Sequence, residues 1–195
     1  MKQEKSRFTE KQVLAVKNRI YKDRFNDACL SKINLESHYQ NALNNFIKNP
    51  KNMLIYIGNP GIGKTFFCAS LTEWAMNTFY FFRYHREQDL FSILRNNMKN
   101  FNGGDYSVLL EKLIDDDLVI LDDIGSSGVN EWREEVFFNF LDYRYNCMKP
   151  TIITSNFTKK EIFENYSKRV GSRMFAAENT IIEIHSGVDL REQGY

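Results

Sequence analysis

The amino-acid sequence predicts an α/β fold in which helices cover both faces of a parallel sheet. Three observations lead to this prediction. Short apolar runs alternate along the chain with longer helical patterns, the order typical of repeated strand–helix units. These runs are continuous rather than alternating in polarity, as expected for strands that are buried on both faces. Glycine, acidic or amide residues follow three of the runs, at the strand ends where ligands gather in parallel sheets.

The predicted elements follow one another in a regular order. Leu35, Tyr39, Leu43, Phe46 and Ile47 share one helical face ahead of the first strand. The predicted strands are 52–57, 78–84, 118–121, 151–154 and 180–184. The predicted helices that follow cover 65–77, 87–99, 106–114, 131–148, 158–164 and 167–176, with a turn at 101–105. We therefore expect a five-stranded parallel sheet flanked by helices.

Length and charge divide the chain into a short arm and one domain. The chain has 195 residues and a formal net charge of +1, which suits one domain without a strong overall field. Residues 1–25 hold eight Lys or Arg against three acidic residues, so the positive charge is concentrated at this end. We assign residues 1–23 to a basic helical arm and 24–195 to the domain. The arm either contacts nucleic acid or an acidic partner, or is a solvated amphipathic helix.

The cysteines and histidines are too scattered for a disulfide framework or a zinc site. They are Cys29, Cys68, Cys147, His38, His85 and His185. The sequence begins with polar residues and contains no run long enough to span a membrane. These features are typical of reduced thiols and of a cytoplasmic protein.

The stretch GNPGIGKT at 58–65 fits the phosphate-loop pattern G-x-x-x-x-G-K-[ST]. A predicted strand precedes it and a predicted helix follows it, which is the context that the pattern needs. Backbone N–H groups of such a loop converge on phosphate, Lys64 reaches the β- and γ-phosphates, and the Thr65 hydroxyl holds Mg²⁺. We therefore predict ATP or ADP and Mg²⁺ as cofactors of a P-loop NTPase. The predicted nucleotide-binding residues are Gly58, Asn59, Pro60, Gly61, Ile62, Gly63, Lys64, Thr65 and Phe66.

Two acidic residues end the third predicted strand, at the same edge of the sheet as the loop. Asp122 is predicted to bind Mg²⁺ together with Thr65, and Asp123 to orient or deprotonate the attacking water. The alternative is an acidic strand boundary that caps local structure. Residues 115–117, also aspartates, precede the strand at the opposite edge and are expected to face solvent.

The fourth predicted strand ends in the polar stretch TSN at 154–156. Ser155 or Asn156 could reach the γ-phosphate or the lytic water from there, and Asn156 is our predicted catalytic residue. Its alternative role is to cap the following helix, and the two roles are compatible.

The order of these motifs resembles that of the AAA+ ATPases, in particular the DnaC/DnaI bacterial helicase loaders and the related IstB transposition helpers. The matching stretches are RFNDACL, GNPGIGKT, LVILDDIG, EWREEVFFNFLDYRYN, PTIITSNF and RVGSRM, within about 24–191. The resemblance implies an AAA+ core, and the short C-terminal end leads us to expect no lid domain. Loaders usually carry a separate N-terminal helicase-binding domain. Only about 23 residues precede the match here, so either the chain does not dock on a helicase or the arm at 8–23 does so.

The resemblance also implies roles that spacing alone does not assign. Arg173 matches an arginine finger that reaches the ATP of a neighbouring subunit, which implies self-association and slow hydrolysis by a monomer. Arg169 lies four residues away on the same helical face, and the alternative is a pair of solvated surface arginines. Arg144 also matches the family and is expected near the seam between subunits.

The predicted helix at 87–99 corresponds to an insertion that contacts single-stranded DNA in loaders and initiators. Cations and aromatic side chains are interleaved there, as in surfaces that bind single strands. They are Arg83, Arg86, Arg95, Lys99, Tyr84, Phe91 and Phe101. The alternative is that the aromatic residues belong to the core.

Three functions remain open. The first is an ATP-dependent helicase loader that binds single-stranded DNA and delivers or regulates a replicative hexameric helicase. The second is an IstB-like transposition helper, and the third is an ATP-bound module that inhibits a host loader or helicase. No N-K-x-D motif follows the fourth predicted strand, which disfavours a GTPase, and the sequence contains no L-S-G-G-Q motif, which disfavours an ABC ATPase. A small-molecule kinase is a further alternative, but it would leave the stretch LDDIG unexplained.

Overall fold

The computed structural model describes residues 7–100 and 107–185, and shows five parallel strands in the order β2-β3-β4-β1-β5. The strands are β1 (Met53–Gly58), β2 (Phe82–Arg86), β3 (Leu118–Ile124), β4 (Thr151–Ser155) and β5 (Thr180–Ile184). Each neighbouring pair is parallel, so all carboxyl ends lie at one edge of the sheet. The predicted five-stranded parallel sheet is confirmed.

Nine α-helices lie in the described part of the chain. They are α1 (Glu10–Tyr21), α2 (Ser37–Lys48), α3 (Lys64–Ser70), α4 (Thr72–Thr78), α5 (Glu87–Asn100), α6 (Ser107–Asp115), α7 (Glu131–Asn146), α8 (Lys159–Asn165) and α9 (Lys168–Met174). The single helix predicted at 65–77 is wrong, because Leu71 separates α3 from α4. The predicted turn at 101–105 lies outside the described residues.

The second strand begins later than predicted. It covers Phe82–Arg86 rather than 78–84, because Thr78 still belongs to α4 and the two aromatic residues before the strand are exposed. Asp117 accepts hydrogen bonds from the backbone N–H groups of Tyr80 and Phe81, which fixes the entry to the strand. The apolar run at 78–84 therefore predicted a strand that begins four residues too early.

Alternate residues of each strand face two separate cores. Leu54, Ile120 and Ile152 pack on the face covered by α2, α3 and α4. Ile55, Leu121 and Ile153 pack on the opposite face, which α5, α7 and α9 cover. Side chains alternate in direction along a strand, so Asp122 shares the α3 face with Ile120, two residues earlier. This alternation directs Asp122 toward the helix that follows the 58–65 loop.

Helix α1 is capped at both ends and is held on the domain by buried side chains. Thr9 and Gln12 form a capping box at its start, and Lys22, with φ 52°, ends it in the left-handed region. Tyr21 is buried in a small core with Ala28 and Ala69, a residue of α3. The Lys17 ammonium donates to the Ala28 carbonyl. The assignment of residues 1–23 to a separate arm stays a prediction.

Arg144 is part of the core at the amino-terminal edge of the sheet. Its side chain is 0% exposed and donates to the Thr151 hydroxyl and to the carbonyls of Ile114, Asp116 and Pro150. The expectation that Arg144 lies near a seam between subunits is wrong, because no part of this side chain reaches the surface. It joins the segments that lead into β3 and β4.

The three aspartates at 115–117 do not all face solvent. Asp115 is exposed and pairs with Lys149 at 2.7 Å, but Asp116 is buried and pairs with Arg83. The solvent-facing prediction is therefore correct for Asp115 only. No helix of 7–100 or 107–185 has the length and apolarity needed to cross a bilayer.

Candidate nucleotide-binding site

The loop at 58–65 connects β1 to α3 at the carboxyl edge of the sheet and is shaped by its glycines. A Cβ on Gly58 would lie 1.9 Å from the Ile184 carbonyl oxygen, so a side chain cannot fit there. Gly63 has a φ of 87°, which side chains disfavour. The Lys64 ammonium is buried and donates to the carbonyls of Gly58 and Asn59, both at 2.7 Å. The lysine therefore lies within the concavity of its own loop.

Asp122 is held by hydroxyl groups from three different elements. It is 1% exposed, and its Oδ2 accepts from Thr65 at 2.9 Å and from Tyr84 at 2.7 Å. Its Oδ1 accepts from Thr154 at 2.5 Å. The Cys68 thiol lies 3.9 Å from the same Oδ1. The structure thus joins two predicted metal ligands, Thr65 and Asp122, by a direct hydrogen bond.

Asp123 faces the end of β4 and has a strained backbone. Its φ is 63°, and its N–H donates to the Thr154 hydroxyl at 2.9 Å. Its Oδ1 accepts from the Asn156 side-chain amide at 2.6 Å. Burial raises the pKa of Asp123, the charge of Asp122 raises it further, and the charge of Lys64 lowers it. Positive φ is uncommon for aspartate and costs free energy, so this strain is typical of a functional position.

The fourth strand places its polar residues in distinct roles. Asn156 is exposed and meets Asp123, whereas Ser155 is buried and donates to the Ile124 carbonyl at 2.8 Å. Ser155 therefore cannot reach the predicted phosphate. The alternative that Asn156 caps α8 is wrong, because Thr158 is the cap and forms a capping box with Glu161.

The oxygen ligands at this edge fit a Mg²⁺–nucleotide complex. Mg²⁺ prefers oxygen and is bound in such sites by one or two protein groups together with phosphate oxygens and water. Thr65 and Asp122 supply one hydroxyl and one carboxylate in contact. Within the described residues, no three His, Cys, Asp or Glu side chains cluster closely enough to hold a metal by themselves. A buried carboxylate that accepts from neutral hydroxyls is also stabilised by a nearby cation.

Arg173 contacts residues of α7 and not the phosphate loop at 58–65, Asp122 or Asp123. Its Nε donates to Asp142 of α7 at 2.7 Å, and its guanidinium lies 5.1 Å from the centre of the Tyr145 ring. Arg169 is exposed and lies over the Phe138 ring at 4.3 Å. Both arginines thus line the surface formed by α7 and α9. A role for Arg173 in a neighbouring subunit stays a prediction.

The structure corrects the expected single-strand surface around α5. Phe91 is 3% exposed and packs edge-on against Trp132, so it belongs to the core. Tyr84 is half-buried and bonded to Asp122, so it does not offer a stacking surface. Arg86 and Arg95 are exposed, while the Lys99 side chain and Phe101 lie outside the described part.

Two residues of this site escaped the sequence interpretation. Thr154 precedes the predicted Ser155 and Asn156 and contacts both aspartates. Its place in the stretch TSN at the end of β4 was a usable signal, because alternate residues of parallel strands face the same side. The contact between Tyr84 and Asp122 depends on the pairing of β2 with β3, and no sequence motif predicts this pairing.

The protein-family model described as IstB-like ATP binding protein matches residues 31–177 of this chain. Among curated proteins, the chain is 26% identical over 148 residues to the replicative helicase loader DnaI of Bacillus subtilis strain 168, covering 70% of this chain and 44% of DnaI. It is 24% identical over 120 residues to the replicative helicase loader DnaC of Escherichia coli K12, covering 62% of this chain and 49% of DnaC. The chain thus spans about half the length of the curated relatives it matches.

Solved structures have the same fold. The crystal structure of the DnaC helicase loader superposes with a TM-score of 0.69 at 25% identity, over 83% of this chain and 99% of that one. The structure of the replication initiator DnaA bound to AMPPCP and single-stranded DNA superposes with a TM-score of 0.70 at 19% identity, over 85% of this chain and 52% of that one. The crystal structure of DnaI superposes with a TM-score of 0.63 at 22% identity, over 93% of this chain and 94% of that one. The last two likenesses concern the fold alone, which is that of an AAA+ P-loop domain.

Proposed function

This chain belongs to the family of IstB-like ATP-binding proteins, and we propose that it is an ATP-hydrolysing helicase loader. In this proposal it binds ATP, Mg²⁺ and single-stranded DNA, and it delivers or regulates a replicative hexameric helicase. The observation that carries the proposal is the contact between Thr65 of the phosphate loop and Asp122 at the end of β3. Two motifs separated by 57 positions meet there in the arrangement that a Mg²⁺–triphosphate site requires.

The residues of the site divide the chemical work. Thr65 and Asp122 would hold Mg²⁺, which would supply positive charge to neutralise the phosphate oxygens. Lys64 exchanges its loop carbonyls for phosphate oxygens, and the loop N–H groups hold the chain of phosphates in place. Asp123 accepts a proton from the attacking water, and the Asn156 amide orients the Asp123 carboxylate through their 2.6 Å bond.

Arg173 completes the proposed site in trans. Its present partner, Asp142, is partly exposed, as is Arg173 itself, so exchanging this pair for a phosphate of a neighbouring subunit costs little. An arginine finger accelerates phosphoryl transfer by about 10³–10⁵-fold in well-studied cases. A monomer would accordingly hydrolyse ATP slowly.

The proposed DNA contact depends on charge rather than stacking. Arg86 at the end of β2 and Arg95 on α5 are exposed cations on adjoining elements, and cations supply most of the affinity for a phosphate backbone. The similarity to the replicative helicase loaders DnaI and DnaC supports a helicase as partner. DnaA in complex with single-stranded DNA supports the strand as ligand for this fold.

The decisive experiment measures ATP hydrolysis against protein concentration, with and without single-stranded DNA. We expect turnover per subunit to rise with concentration and to fall by about 10³-fold or more in Arg173→Ala. Lys48→Ala, an exposed cation at the end of α2, is the matched control and should behave as the wild type. Turnover that is independent of concentration and of Arg173 would reject the shared site.

The match to the IstB-like model supports a transposition helper as the second candidate. Capture of a hexameric helicase favours the loader, and capture of a transposase favours the helper. An inhibitory module that uses ATP only to set its shape would keep its biological effect in Asp123→Asn. Asparagine tolerates a positive φ as well as aspartate does, so this variant should keep the local fold.

A further inference from the structure

Aromatic rings connect the phosphate loop to Asp122 along a route that passes through α1. Phe66, next to Thr65, lies edge-on to Phe25 with ring centres 6.0 Å apart. Phe25 contacts Tyr21 at 5.9 Å, and Tyr21 contacts Tyr84 at 4.9 Å. The Tyr84 hydroxyl then donates to Asp122, which accepts from Thr65. These contacts close a circuit that starts and ends at adjacent residues of the phosphate loop.

Tyr84 is built to donate this hydrogen bond. It lies on the edge strand β2, two positions before Arg86, the residue in register with Asp122. A carboxylate oxygen accepts hydrogen bonds, so the Tyr84 hydroxyl is the donor in its 2.7 Å contact with Asp122 Oδ2. Edge-on contacts between aromatic rings are favourable, so Tyr21 restrains the Tyr84 ring.

The orientation of Asp122 matters because both of its oxygens are in use. Thr65 and Tyr84 share Oδ2, and Thr154 holds Oδ1. Thr65 belongs to the loop that must adapt to the nucleotide, whereas Tyr84 belongs to a strand. Outer hydrogen-bond partners of a ligating carboxylate fix its geometry, and their removal commonly weakens metal binding by about 10–100-fold.

We propose that Tyr84 is a positioning residue for Asp122, and that α1 holds it in place through Tyr21. The inference rests on the proposed Mg²⁺–nucleotide site and adds a control point to it. Displacement of α1 from this position would free the Tyr84 ring and lower the Mg²⁺ enhancement of nucleotide binding. By thermodynamic linkage, binding of the Mg²⁺–nucleotide complex stabilises the packed position of α1 by the same free energy that packing of α1 adds to Mg²⁺–nucleotide binding.

The test measures binding of a non-hydrolysable ATP analogue by calorimetry, once with saturating Mg²⁺ and once with EDTA. The ratio of the two dissociation constants is the Mg²⁺ enhancement. We expect Tyr84→Phe to keep the EDTA affinity and to lose about tenfold of the enhancement. Tyr21→Leu, which leaves the phenol intact, should lose about threefold through the weaker ring contact. The double variant should match Tyr84→Phe alone, because both changes act on one path.

Tyr166→Phe is the matched control, since the Tyr166 hydroxyl also donates to a buried carboxylate, Glu87, at 2.9 Å. It should keep the full enhancement, and the EDTA affinity shows that each variant is folded. An enhancement in Tyr84→Phe that equals or exceeds the wild-type value would overturn the inference alone. A wild-type protein without any enhancement would overturn this inference together with the proposed function.

Discussion

The two edges of the central sheet carry similar residues but treat them in opposite ways. At the amino-terminal edge, Asp115 pairs with Lys149 and Asp116 pairs with Arg83, so cations of the same chain neutralise both. At the carboxyl-terminal edge, Asp122 accepts hydrogen bonds from neutral hydroxyls of Thr65, Tyr84 and Thr154. Asp115 and Asp116 are thus in direct contact with cations, whereas the hydrogen-bond partners of Asp122 are neutral and the charge of Arg86 acts on it without a salt bridge.

This difference separates structural acids from functional acids better than burial does. Asp116 and Asp122 are 9% and 1% exposed, so both count as buried. What distinguishes them is the charge of their hydrogen-bond partners, which is positive for Asp116 and neutral for Asp122. Chain position then explains the partners, since ligands of a parallel sheet bind at its carboxyl edge.

The largest effect should come from Arg144→Leu, which breaks the amino-terminal edge. Leucine fills part of the volume but leaves the carbonyls of Ile114, Asp116 and Pro150 without their donor. We expect the free energy of unfolding to fall by about 3 kcal/mol or more. Urea denaturation measures it, with Arg19→Leu on the exposed side of α1 as control. An unchanged midpoint would show that Arg144 does not hold this edge together.

The next effect concerns the carboxyl-terminal edge and is chemical. Asp122→Asn should lower the Mg²⁺ enhancement of nucleotide binding by about 100-fold, because the ligating charge is lost. Its counterpart Asp116→Asn should keep the enhancement and instead cost about 1–2 kcal/mol of stability through the weakened contact with Arg83. Calorimetry and denaturation of both variants separate the edges. Equal loss of enhancement in both variants would remove the distinction between them.

The smallest effect is a shift in pH dependence at Asp123. The pKa of Asp123 is raised above its ordinary 3.8, chiefly by burial. A general base works only when deprotonated, so hydrolysis should begin to fall at a higher pH than for an ordinary aspartate as the solution is acidified. The same shift means that Asp123 favours the folded state below pH 3.8 and that this contribution is lost as the pH rises through the raised pKa. Asp123→Asn should therefore be slightly more stable at neutral pH.

The pH–rate profile under saturating ATP and Mg²⁺ measures this shift, with denaturation of Asp123→Asn as the companion experiment. An acid limb no higher than that of a free aspartate would contradict the role of Asp123 as the buried base.

Local pattern predicted the strands and motifs of this molecule, and tertiary contacts decided the rest. The five strands and the ends that carry Gly58, Asp122 and Asn156 could be recognised because apolar runs and polar ends are local properties. The break at Leu71 could not, since neither Gly nor Pro marks it. Arg144 and Tyr84 could not be interpreted either, because their partners lie 6–38 positions away and depend on strand order.

The Lys64 ammonium, bonded to the carbonyls of Gly58 and Asn59, has a practical consequence for mutagenesis. Shortening this side chain would remove the two hydrogen bonds that hold the loop in shape as well as the charge that binds phosphate. A defective Lys64→Ala protein would confound a collapsed loop with a missing contact. Substitutions at Asp122 leave these two hydrogen bonds intact, so they test more directly whether a function of the protein depends on nucleotide binding.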